Sequence, residues 1–65
     1  MNNLEALANE VARAEARLAN AEARAAALLV DPASSRADRE AANASVNRAD
    51  RALRDLDREV RAARR

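Results

Sequence analysis

Cysteine, histidine, glycine, lysine and every aromatic residue are missing from this 65-residue chain, and proline occurs once, at Pro32. Without Cys or His there is no disulfide framework, no thiolate nucleophile, no zinc finger and no imidazole base. Without glycine, and with a single proline, the chain has almost no vocabulary for strands or wandering loops. Losing the aromatics removes both the stacking platforms that single-stranded nucleic acids use and the bulky anchors of interfacial membrane helices. Gly-rich phosphate loops, nucleophile elbows and metal-ligand spacings are absent as well. No apolar run approaches the roughly 18 residues of a membrane span, and no basic segment followed by a continuous apolar core opens the chain. The expectation is a soluble, cytoplasmic, non-enzymatic protein with no cofactor, no metal and no small-molecule substrate.

What the chain does have is alanine, at 20 of its 65 positions, and the larger apolar residues fall on two stripes either side of Pro32. The first runs Leu4, Leu7, Val11, Ala14, Leu18, Ala21, Ala25, Leu28, and the second Ala42, Val46, Ala49, Leu53, Leu56, Val60, Ala63. Gaps of three and four alternate throughout, which is the period of a coiled coil and not of a strand. Asp31 precedes the proline and so leans away from helical geometry, while Ser34 or Ser35 is placed to cap a new helix whose first turn holds Asp38. The sequence therefore predicts an all-α, antiparallel two-helix hairpin, an alanine-rich coiled coil, with helix 1 over about 3–29, a turn over about 30–35 and helix 2 over about 36–64.

Folding one stripe back on the other gives layers in which large meets small: Leu4 with Ala63, Leu7 with Val60, Val11 with Leu56, Ala14 with Leu53, Leu18 with Ala49, Ala21 with Val46. Each Leu fills the space an Ala leaves, as close-lying axes require. Leu4, Leu7, Val11, Leu18, Leu28, Val46, Leu53, Leu56 and Val60 are the expected intrachain core. Nearer the turn the layers are poorer. Ala25 meets Ala42 and Leu28 meets Arg39, whose stem would cover the leucine while its head reaches water, so the loop end is expected to be the looser one. Apart from Met1, seven Leu and four Val are all the sizeable apolar side chains available, and two helices leave the flanks of every seam open. Association, most simply as a homodimer forming a four-helix bundle, is the usual remedy.

A second stripe on helix 1, Ala12, Ala16, Ala19, Ala23, Ala26 and Val30, lies about 150° around from the leucines and is the expected self-association face. Glu15 and Glu22 sit on one border of it and Arg13, Arg17 and Arg24 on the other, so that two antiparallel copies would align opposite charges across their edges. On the plainer view, alanine is the best helix former and costs nothing on a solvated face. Glu15, Glu22, Asp50 and Asp57 flank one side of the seam, but helical di-metal sites draw on Glu-x-x-His pairs and there is no histidine to complete one.

The back of helix 2 is basic. Arg51, Arg54, Arg58, Arg61 and Arg65 fall within about 80° of one another over about 21 Å of helix, a spacing on which arginine forks would track a phosphate backbone. Against that, Asp50 to Arg54, Arg51 to Asp55 and Asp57 to Arg61 are each four apart, the pattern of a salt-bridged solvated face. All 12 basic residues are arginine and 11 residues are acidic, a net charge of only +1, so nucleic acid is a partner the sequence allows without favouring. Membrane binding is disfavoured by how little the Leu53, Leu56 and Val60 stripe offers for insertion. The arginine and alanine excess is what GC-rich codon usage produces. A designed helical protein is the competing origin, against which stand Asn9, Asn20, Asn43 and Asn47, poor helix formers at mid-helix positions.

In architecture only, a hairpin of this length resembles the Rop family of plasmid RNA-binding proteins, which pair two hairpins into a four-helix bundle and bind RNA across their first helices. The resemblance implies a shape. Helix 1 here carries neither lysine nor an aromatic on its outward face, so none of that family's binding residues carries over.

Overall fold

The computed structural model describes residues 3–64 and consists of two long helices, α1 (Asn3–Val30) and α2 (Arg36–Ala63), folded back on one another as a hairpin. Each has 28 residues. At 1.5 Å per residue that is about 42 Å of helix, and the molecule is a rod of 48 × 14 × 13 Å. Among the described residues there is no strand. Alanine and unbranched side chains dominate both segments, and no proline or glycine interrupts either, so propensity favours helix along the whole of each.

The connection is made without a single positive φ among the described residues, which is why it needs no glycine. Side chains close it instead. The Asp31 carboxylate accepts from the Ala33 amide at 2.9 Å, and the Ser34 amide donates to the Asp31 carbonyl at 3.1 Å. α1 ends with no basic residue in its last turn, yet its orphan Leu28 carbonyl accepts from the Ser34 hydroxyl, 2.6 Å away. Ser35, in extended geometry, is the N-cap of α2. Its hydroxyl accepts from the Asp38 amide at 3.0 Å while its own amide donates to the Asp38 carboxylate at 3.2 Å, a capping box. The two serines thus divide the work. Ser34 finishes α1 and Ser35 starts α2.

Between the helices, Leu7, Val11, Leu18, Ala21, Ala25 and Leu28 of α1 lie half-buried beside Val46, Ala49, Leu53, Leu56 and Val60 of α2. Only Ala14 and Ala42, 4% and 5% exposed, are fully enclosed among the described residues. The reason is geometric. An alanine methyl ends at the partner's surface, whereas a leucine reaching past an alanine presents its outer edge to water on the open flank of a two-helix seam. At the terminal end the layer frays, with Leu4 36% exposed and Ala63 exposed.

The loop end differs from expectation. Arg39 is half-buried over the Leu28 layer, but its head does not run out to water: Nη1 donates to the Ser34 carbonyl and hydroxyl, each at 3.2 Å, because the turn brings two acceptors within reach. The end thought looser is therefore tied by a serine-centred network. The wider opening is at the other end, where a groove of ≈ 620 Å³ runs between the first turns of α1 and the last turns of α2.

Candidate functional site

Three surfaces offer themselves: the outward face of α1, the outward face of α2 and the grooves along the seam. On α1, Ala12, Ala16, Ala19, Ala23, Ala26 and Val30 are all exposed. They form one continuous stripe along the helix. Val30 is 82% exposed, and beside it Leu29, 71% exposed, extends the apolar surface toward the turn. Sequence periodicity missed Leu29 because it falls between the two stripes; the available signal was a leucine adjoining Val30 on an otherwise polar border. Together they make the end of α1 the most apolar exposed part of the described molecule.

The borders of this stripe are charged and unsatisfied. Glu15 and Glu22 on one side and Arg13 on the other are exposed and make no ion pair or side-chain hydrogen bond among the described residues; Arg17 and Arg24, equally exposed and unpaired, lie farther round, along the seam groove that Ala42 and Ser45 also line. The expectation that antiparallel copies would match these charges does not survive a symmetry argument. A two-fold axis that reverses one helix against another returns each border to its own kind, so acids would meet acids. Only a parallel pair sets the acidic border of one copy beside the basic border of the other.

On α2, Arg51, Arg54, Arg58 and Arg61 are exposed on the outward face, while Arg65 lies outside the described residues. Asp50 pairs with Arg54 at 3.1 Å, as the four-residue spacing suggests. Arg58 instead reaches back three residues to Asp55 at 3.8 Å, leaving Arg51 and Arg61 without an ion pair among the described residues. A further exposed pair, Arg36 to Glu40 at 3.0 Å, lies in the first turn of α2. Such pairs are solvated and are each worth about 0.3 to 0.5 kcal/mol.

The grooves follow from the small residues. The wide one at the terminal end has a floor of Leu4, Ala8, Val11 and Val60 and a rim that includes Asp57 and Arg61. Two smaller ones, ≈ 250 and ≈ 270 Å³, lie on the opposite flank and share Arg24, Ala42 and Ser45. Glu5, Asp57, Arg61 and Arg64 make half of the wide groove's lining charged. Glu15, Glu22, Asp50 and Asp57 do not gather, and among the described residues no group of acidic side chains is placed to hold a metal ion. No described helix is long and apolar enough to cross a membrane. The chain matches no known protein family, no curated protein and no solved structure.

Proposed function

We propose that this chain is a non-enzymatic interaction module, a helical hairpin that self-associates through the outward face of α1 to form a homodimeric four-helix bundle. One observation carries the reading. Among the described residues the hairpin encloses only two alanines, while Val30 and Leu29, 82% and 71% exposed, stand at the end of an uninterrupted alanine stripe. A core closed at only two methyl groups leaves apolar surface wet, and a second copy laid on α1 covers the alanine stripe together with Val30. The outward face of α2, lined with arginines, is unsuited to that role and belongs outside.

Sedimentation equilibrium over a wide concentration range tests this directly, with a dimer expected. Replacing Ala19 with Glu, at the centre of the stripe, is expected to give a helical monomer because it buries an unpaired carboxylate in the interface. Undiminished dimerisation of Ala19→Glu would exclude this face.

A second reading, electrostatic binding of nucleic acid on the outside of α2, draws on Arg51 and Arg61, which have no acidic partner among the described residues. It predicts retardation of duplex or structured RNA at low salt that disappears when Arg54, Arg58 and Arg61 become Gln. The scaffold reading predicts no retardation for either protein.

A further inference from the structure

We infer that the two copies lie parallel, α1 beside α1 with both turns at the same end, so that the pairing is directional. This rests on the self-association proposed above and adds its orientation. Two independent features of the surface point to it, and neither is the alanine stripe itself.

The first is charge. Glu15 and Glu22 line one border of the exposed face and Arg13 the other, none of them engaged elsewhere among the described residues. In a parallel pair Glu15 of one copy lies level with Arg13 of the second, within about 3 Å along the axis at 1.5 Å per residue. Symmetry repeats this contact on the opposite edge. In an antiparallel pair that overlays the full stripe, Ala12 meets Val30, Ala16 meets Ala26 and Ala19 meets Ala23. That register brings Glu22 against Glu22 of the second copy and leaves the arginines without acids, which destabilises it.

The second is the apolar end. Val30 and Leu29, 82% and 71% exposed, sit at the last turn of α1. Parallel copies place Val30 on Val30 and lay each Leu29 over Ala27 and Val30 of its neighbour, closing one apolar cluster beside the two turns. The antiparallel register sets Leu29 opposite Glu15 of the second copy, an apolar side chain against a carboxylate that would lose its water. Both features thus select the same orientation.

Because the chain has no cysteine, single substitutions report the geometry without background. Ala26→Cys is expected to cross-link to itself on mild oxidation, since facing positions of a close-packed pair lie within disulfide reach. An equimolar mixture of Ala16→Cys and Ala26→Cys is expected to give no mixed disulfide, the two positions being about 15 Å apart along a parallel pair. Ala44→Cys, on the outward face of α2, measures random collision. Ala26→Cys should outpace it by more than about tenfold, as held partners exceed micromolar encounter concentrations. Sedimentation of the reduced proteins accompanies each reaction. A dimer in which only the mixed pair cross-links overturns the parallel orientation while leaving self-association intact, and a dimer that forms neither disulfide overturns the face. Monomers at every concentration overturn both.

Discussion

Ser34 does more than any other single side chain in the turn. Its hydroxyl lies 2.6 Å from the Leu28 carbonyl and 2.9 Å from that of Asp31, and it accepts from Arg39. Ser34→Ala therefore strands a helix-terminal carbonyl and takes one acceptor from a half-buried guanidinium. The expected loss is about 1 to 2 kcal/mol, read as a lower urea midpoint with unchanged slope. Sequence alone put a cap at Ser34 or Ser35 and could not divide the roles. Only Ser35 has an acid, Asp38, at the capping-box spacing of three, but that Ser34 closes α1 turns on which hydroxyl faces back toward α1 once the helices have docked. Arg39 was obscure for the same reason: a long side chain goes to water unless the fold brings acceptors to it.

At the scale of the helices the sequence was far more legible. Period 3.5 over Leu4 to Leu28 and Ala42 to Ala63, broken at Asp31 and Pro32, leaves little besides a helical hairpin, and the hairpin is what forms. Less legible was how shallow its seam would be. Alternating large with small brings the axes together but leaves each leucine half-exposed, so truncation there costs less than in a closed core. Leu53, facing the buried Ala14, is the most exacting case. Leu53→Ala is expected to destabilise by about 2 kcal/mol, the lower end for a buried leucine, because Ala14 has no side chain with which to refill the gap. Denaturant unfolding followed by circular dichroism gives the value. Charge spacing misled in a smaller way. Asp50 and Arg54 pair at four residues, but Asp55 is taken by Arg58 at three, since exposed arginines choose among equivalent acids by rotamer and not by register.

For the whole molecule, the candidate interaction face was visible in the sequence as a stripe with charged borders, but the exposed Leu29 beside it was not. Its exposure is a property of the folded surface. The structure is also uneven from end to end: a turn held by serine and arginine hydrogen bonds at one extreme, a groove and the half-exposed Leu4 at the other. That unevenness sets where the rod opens. With every interhelical contact belonging to one antiparallel pair, the cheapest partial unfolding separates the helices from the termini inward, like a zipper whose slider rests at the turn. Native-state amide hydrogen exchange should therefore be graded along both helices, slowest around Ala25 and Ala42 and fastest toward Leu4 and Val60. Equal protection from end to end would mean that the hairpin opens only as a unit. Loop-closure entropy gives refolding the same expected order in reverse, from the contacts nearest the turn to the most distant, since each closed layer shortens the loop the next must close.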